Sequence, residues 1–70
     1  MPVRLKVKEI AAMKGMSQRQ LSIRTGIEVK NIQRILRNPY TNVTTETLGR
    51  IAKVLGVDAS ELIESVENDS

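Results

Sequence analysis

The stretch that decides the fold is residues 16–38, which read MSQRQLSIRTGIEVKNIQRILRN. Ser17 followed three residues later by Gln20 is the pattern of a helix N-cap with a capping box. Gly26 ends this helix, because glycine adopts the left-handed backbone of a helix C-terminus at little cost. The pattern predicts a helix over 17–25.

A second helix is predicted over 28–37, where Ile32, Ile35 and Leu36 form an apolar stripe at helical spacing. It stops before Pro39, because the residue preceding a proline avoids helical angles. Two short helices joined by so few residues form a helix-turn-helix, whose second helix can enter a DNA major groove.

The flanking sequence predicts a helix on each side of this pair. Helix 1 is expected over 6–14, and helix 4 runs from the N-cap Thr44 to a stop at Gly56. Gly49 falls inside helix 4, where glycine costs roughly 1 kcal/mol of helix propensity. A close contact with another helix is the expected reason for this glycine.

A short fifth helix is expected near the end of the chain. Asp58 with Glu61 repeats the capping-box pattern, and Leu62 and Ile63 follow as buried residues. The predicted fold class is therefore all-α, a compact five-helix bundle that contains a helix-turn-helix.

A single domain is expected to span residues 1–70, with a core of about 5–63 and a frayed acidic tail at 67–70. The first residues leave two alternatives open. Apolar residues alternate with basic ones over 3–8, which is a strand period. Either a short N-terminal strand pairs with residues near 63–67, or helix 1 starts earlier.

Composition excludes several kinds of site. Cysteine and histidine are both absent, so disulfides and most transition-metal sites are excluded, and no metal or cofactor is expected. Tyr40 is the single aromatic residue, which argues against stacking of unpaired bases on aromatic platforms. No apolar run approaches the ~20 residues of a membrane span, and the start does not look like a signal peptide. We expect a cytoplasmic protein with no membrane partner.

Charge is unevenly distributed along the chain. Residues 1–40 carry nine basic and two acidic residues, a net charge of +7, whereas residues 41–70 carry two basic and six acidic residues, a net charge of −4. A basic front half favours a polyanionic partner. An ordinary solvated surface with a chance imbalance is the alternative.

The predicted second helix of the pair has two different sides. At roughly 100° per residue, its apolar stripe lies opposite a polar and basic set: Val29, Lys30, Gln33, Arg34 and Arg37. Arginine can donate two hydrogen bonds to guanine, glutamine can exchange two with adenine, and valine can touch a thymine methyl. An amphipathic helix with a solvated face explains this helix alone equally well.

The pattern of residues 16–38, continued by TLGRIAKVLGV at 47–57, resembles the phage-repressor (Xre, Cro/CI-type) helix-turn-helix family. The resemblance covers about residues 5–63. It implies that the first exposed residues of helix 28–37 and those one turn on read base edges, which match Val29, Lys30, Gln33 and Arg34.

The same resemblance implies contacts with the DNA backbone at both ends of the helix pair. Gln18 would contact a phosphate and brace the second helix, with Ser17 and Arg19 beside it. The backbone contacts at the end of the second helix and in the loop after it match Arg37, Asn38, Tyr40 and Thr41. For Gln18, an ordinary helix-start residue is the alternative, and for Tyr40, a partly buried loop anchor.

Two departures from the family pattern are visible. Glu28 stands where many members have a better helix cap, and its charge would oppose a nearby phosphate. Ala11 and Leu36 stand where phage members often have an ion pair, so an apolar contact is expected there.

The expected function is a sequence-specific, double-stranded DNA-binding transcriptional regulator, more specifically a repressor. One small domain reads about half a site, so a homodimer on a pseudo-palindrome is expected. Its apolar surface would come from Leu55, Val57, Ile63 and Val66, unless these residues simply pack in the core. A protein-interaction module such as an antitoxin or a regulatory subunit is the alternative function, and an enzyme is not expected because no pocket gathers the carboxylates.

Overall fold

The computed structural model describes residues 3–66, and in this part of the chain four α-helices pack around one apolar core. The elements follow in the order β1 (Val3–Leu5), α1 (Val7–Met13), α2 (Gln18–Thr25), α3 (Val29–Arg37), α4 (Thr45–Leu55), a 3₁₀ turn (Ala59–Leu62) and β2 (Ile63–Ser65). The all-α class and the helix-turn-helix are confirmed. The tail predicted to fray, 67–70, lies outside the described residues.

The predicted fifth helix is wrong, because a 3₁₀ turn takes its place. The predicted capping box is present, with the Asp58 N–H donating to Glu61 Oε2 at 3.0 Å. Only four residues form the turn before the chain extends into β2. Leu62 is fully buried as predicted, but Ile63 is 37% exposed on the strand.

The N-terminal strand is confirmed over the alternative of a longer helix 1. β1 and β2 pair antiparallel, with Leu5 opposite Ile63. The ladder extends one step further, where the Lys6 N–H donates to the Leu62 carbonyl at 2.7 Å. These long-range bonds hold the first residues extended, so α1 begins only at Val7.

The core draws one or more side chains from every helix. Leu21, Ile32, Ile51 and Leu62 are fully buried, and burial of each such side chain contributes roughly 1.5–3 kcal/mol. The expected apolar replacement of the ion pair is consistent with the packing, because Ala11 is buried and Leu36 packs against the same cluster.

Gly49 has no close neighbour in the described chain. A Cβ placed on it would meet no heavy atom within 4 Å. The expected helix contact is therefore wrong, and Gly49 is an exposed helix position.

Candidate nucleic-acid interface

The turn between α2 and α3 is fixed by side-chain hydrogen bonds. The Thr25 hydroxyl donates to the Leu21 carbonyl at 2.5 Å and accepts from the Ile27 N–H at 3.2 Å. The Ser22 hydroxyl donates to the Ile27 carbonyl at 2.6 Å. Gly26 has a φ of +75°, the left-handed conformation that the turn requires. Because the turn is tied to the last residues of α2, it sets the direction in which α3 leaves.

The N-terminus of α2 has the predicted capping box. Ser17 Oγ accepts from the Gln20 N–H at 3.2 Å, and Gln20 Oε1 accepts from the Ser17 N–H at 3.2 Å. Gln18 and Arg19 are exposed at the first two helical positions. Backbone N–H groups at such positions have no acceptor within a helix, so this end of α2 is suited to an anion.

α3 has a buried side and an exposed side along its length, as the sequence predicts, with one exception. Ile32 and Ile35 are buried, and Leu36 is half-buried. Gln33, predicted on the exposed side, is half-buried. The other members of the predicted polar side are exposed: Val29, Lys30, Arg34 and Arg37.

Gln33 faces the start of α2 across a shallow pocket of about 360 Å³. The pocket is lined by Lys8, Gln18, Gln33, Leu36 and Arg37. The two glutamines thus share one pocket, although no hydrogen bond joins their side chains in the described residues. Lys8 of α1 belongs to this surface and was not predicted, since its only sequence signal was the alternation of basic residues over 3–8.

Within the described residues, the ion pairs involve cations outside α2 and α3. Arg4 contacts Glu9 at 2.6 Å and Glu64 at 2.8 Å, and Arg50 contacts Glu46 at 2.9 Å. In residues 3–66, no carboxylate forms an ion pair with the basic side chains of the helix pair: Arg19, Arg24, Lys30, Arg34 and Arg37. Cations that are not neutralised internally attract a polyanion.

The family model of the Cro/C1-type helix-turn-helix DNA-binding domain matches residues 6–68. The chain belongs to this family. It is also similar to the crystal structure of an inferred DNA-binding protein from Bacteroides fragilis, with a TM-score of 0.80 and 26% sequence identity over 89% of this chain and 98% of that chain. No curated protein matches the chain. The resemblance found in the sequence is confirmed, and this Cro/C1-type domain is a DNA-binding domain of transcription regulation.

Arg34 of the Cro/C1-type domain lies in a second shallow pocket between α3 and the start of α4. Asn31, Asn42, Thr44 and Thr47 line it as well. Thr44 is the predicted N-cap of α4, and its Oγ1 accepts from the Thr47 N–H at 3.1 Å. Neither asparagine was predicted for the site. Asn31 lies on α3 itself, whereas Asn42 lies in the loop after α3, and the sequence does not show that this loop folds back towards the helix.

The residues after α3 are not all brought to the same place. Asn38 forms the first turn of the loop, where its Oδ1 accepts from the Tyr40 N–H at 3.1 Å and its carbonyl accepts from the Thr41 N–H at 3.1 Å. Tyr40 and Thr41 line a groove beside β1 instead of the pockets that hold Gln33 and Arg34. The predicted backbone-contact residues therefore lie in two neighbouring regions.

Glu28 precedes α3 without capping it, as its residue type predicts. Its side chain accepts no hydrogen bond from the helix and is exposed. The described residues contain no cluster of acidic side chains able to hold a metal ion. No helix among them is long and apolar enough to cross a membrane.

Proposed function

We propose that this Cro/C1-type domain is a sequence-specific transcriptional repressor that reads the major groove of double-stranded DNA with α3. The observation that supports it most is the exposed side of α3, whose cations form no ion pair within residues 3–66. The opposite side of the helix is anchored in the core by Ile32 and Ile35. Because the helix is anchored at both residues and at the turn before them, its exposed side chains approach a base pair in one orientation. Residues 1–70 would form one domain, and the protein would lie in the cytoplasm, associated with the nucleoid.

Base reading is assigned to the exposed side chains of α3. Arg34 would donate two hydrogen bonds to a guanine, and Val29 would contact a thymine methyl. Lys30 serves either a base edge or a phosphate. Gln33 reads an adenine only if it leaves its half-buried position, and otherwise it braces Gln18.

Backbone contacts are assigned to the residues around the two ends of the helix pair. At the start of α2 these are Ser17, Gln18 and Arg19, and we propose Lys8 as a further contact because it lines the same pocket as Gln18. After α3 they are Arg37, Asn38, Tyr40 and Thr41. Phosphate contacts of this kind supply affinity and salt dependence, while α3 supplies selectivity.

Repression is the regulatory role that requires the fewest binding surfaces. Occupation of a site that overlaps a promoter is sufficient to block transcription and needs no second binding surface. Two copies related by a two-fold axis would read the two halves of a pseudo-palindrome. We also propose that the protein has no enzymatic activity and binds no cofactor or metal.

Selection of bound sequences from random double-stranded DNA, followed by titration at several salt concentrations, tests this function. We expect an enriched inverted repeat. The expected slope of log affinity against log salt is about −3 to −4 per protomer, if four cations each neutralise one phosphate. Lys53→Ala is the charge-matched control for variants that remove an arginine of α3, such as Arg34→Ala and Arg37→Ala. Lys53 lines a pocket that contains no α3 residue, so its loss should lower the affinity for DNA less than the loss of either arginine. Salt-insensitive binding without sequence enrichment, together with co-purification of a stoichiometric protein partner, would favour the protein-interaction module instead.

A further inference from the structure

A concave site between α2 and α4, which we call the α2–α4 pocket, has a volume of about 420 Å³. It is lined by Arg24, Thr25, Arg50, Lys53 and Val54. Arg24 belongs to α2, whereas Arg50 and Lys53 belong to α4. Three cations thus line one pocket, while the two pockets that α3 residues line contain one and two. None of the lining residues is assigned to DNA, so the site is independent of the proposed function.

The chain offsets little of the positive charge of the α2–α4 pocket. No carboxylate lines the pocket, and within residues 3–66 neither Arg24 nor Lys53 forms an ion pair. Arg50 does contact Glu46 at 2.9 Å, but the Glu46 side chain is 75% exposed, and such a solvated pair contributes only about 0.2–1 kcal/mol. Three like charges that share a concave surface repel one another unless an anion lies among them.

The electrostatics of helix ends explains part of this arrangement. A cation in the last turn of a helix interacts favourably with the helix dipole, and Arg24 and Lys53 each occupy such a position. Arg50 lies in the middle of α4 and gains nothing from this effect. The effect also does not require the three side chains to share one pocket. Their convergence is therefore the observation that indicates a ligand.

We propose that the α2–α4 pocket binds a small polyphosphate, either inorganic or the polyphosphate chain of a nucleotide. Arginine presents a planar fork of donors that suits a phosphate, and lysine adds a compact charge. A chain of two or three phosphates has acceptor oxygens on adjoining groups, so it can accept from Arg24 of α2 and Lys53 of α4 at once. The pocket volume lies within the range of small-ligand sites, roughly 300–1,000 Å³.

The lining residues are suited to the phosphates and not to a nucleobase. No aromatic side chain lines the pocket, so it offers no surface on which a base can stack. Val54, which is half-buried, is the one apolar residue of the lining. The Thr25 hydroxyl already donates its hydrogen to the Leu21 carbonyl, so it cannot donate to a phosphate as well. Recognition therefore comes from the three cations.

A bound polyphosphate would connect the end of α2 to the second half of α4. The cations of the two helices converge only in the folded chain, so the ligand stabilises the fold and raises the Tm as its concentration increases. Thr25 belongs to the lining, and its hydroxyl also accepts from the Ile27 N–H in the turn before α3. The ligand would therefore lie beside the turn that sets the direction of α3.

Isothermal titration calorimetry of the full chain with sodium tripolyphosphate, at low salt and without magnesium, measures the binding. We expect one site per chain. Arg24→Gln and Lys53→Gln should each weaken binding roughly three- to tenfold, because each removes a hydrogen bond between charged groups. Lys14→Gln is the matched control, since it removes the same charge from an exposed residue outside the pocket, and it should leave the affinity almost unchanged.

Other anions identify the chemical class and its source. ATP that binds as tightly as tripolyphosphate would support a nucleotide as the source, and ATP that binds much more weakly would support an inorganic chain. AMP and citrate should both bind much more weakly than tripolyphosphate. Equal binding of either one would overturn the assignment to a polyphosphate.

A polyphosphate resembles a DNA backbone, so the surface proposed for DNA is the competing location. In NMR titrations the backbone amide signals of Thr25 and Val54 should move with tripolyphosphate, and Arg37→Gln should leave its affinity almost unchanged. Binding that Arg37→Gln weakens and Arg24→Gln does not would overturn the proposal. So would a Tm that tripolyphosphate leaves unchanged, which would show that the cations serve only their helix ends. Duplex affinity that falls as much in Arg24→Gln and Lys53→Gln as in Arg37→Gln would also overturn it, because the pocket would then be a further DNA contact.

Discussion

Replacing Gly49 by alanine is expected to stabilise the protein, whereas the same replacement at Gly26 is expected to destabilise it. Neither added Cβ would meet an atom within 4 Å, so steric clash plays no part in either variant. Gly49 lies inside α4, where alanine gains roughly 0.5–1 kcal/mol. At Gly26 the φ of +75° costs alanine roughly 1–2 kcal/mol, and the lower entropy of the unfolded chain offsets part of this, which leaves a net loss of about 1 kcal/mol.

Thermal melting and urea titration, both followed by circular dichroism, measure the two changes. In a domain of this size 1 kcal/mol shifts the Tm by roughly 4–8 °C. Gly49→Ala should therefore melt several degrees above the parent, and Gly26→Ala several degrees below it. Gly26→Asn is the control, because asparagine tolerates left-handed angles, and it should lose less than alanine. A destabilised Gly49→Ala would show that α4 has a close neighbour there, and a neutral Gly26→Ala would refute the assigned turn geometry.

Two further predictions concern the turn and the ion pairs. Thr25→Val keeps the side-chain volume but leaves the Ile27 N–H without its acceptor. The free energy of unfolding in urea should fall by about 1–2 kcal/mol. An unchanged unfolding midpoint would contradict the assigned role of the hydroxyl. The hydrogen bond from Arg4 lowers the pKa of the Glu9 carboxyl. The pair therefore stabilises the fold at pH values above the ordinary glutamate pKa, and this stabilisation is lost as the pH falls through the lowered pKa. Arg4→Gln should therefore lose less stability than the parent between pH 7 and about pH 3, and equal losses in the two proteins would refute this account of the pair.

Local chemistry made the helix pair predictable from the sequence. The capping box of Ser17 and Gln20 and the left-handed turn at Gly26 are interactions between residues a few positions apart. The anchored side of α3 was also predictable, because Ile32 and Ile35 lie on one face of any helix that contains them. These features needed no knowledge of the rest of the chain.

Features that depend on distant segments were harder to predict. A 3₁₀ turn stands where a fifth helix was predicted, because pairing with β1, almost sixty residues away, keeps Ile63 extended. Gln33 is half-buried because α1 and α2 bring Lys8 and Gln18 beside it. The groove beside Tyr40 exists only because β1 packs against the loop after α3. The spacing of residue types along the chain does not indicate these contacts between distant segments.

The central claim, that α3 reads base sequence, is tested most directly by titrating Arg34→Ala and Arg37→Ala with the selected site and with a scrambled duplex. Loss of a bidentate contact with guanine is worth roughly 1–3 kcal/mol of discrimination, so Arg34→Ala should lose affinity for the selected site while binding the scrambled duplex nearly as the parent does. Arg37→Ala, a phosphate contact, should weaken both complexes similarly and reduce the salt slope by about 1. An Arg34→Ala variant that binds the selected site as tightly and as selectively as the parent would contradict the assignment of α3.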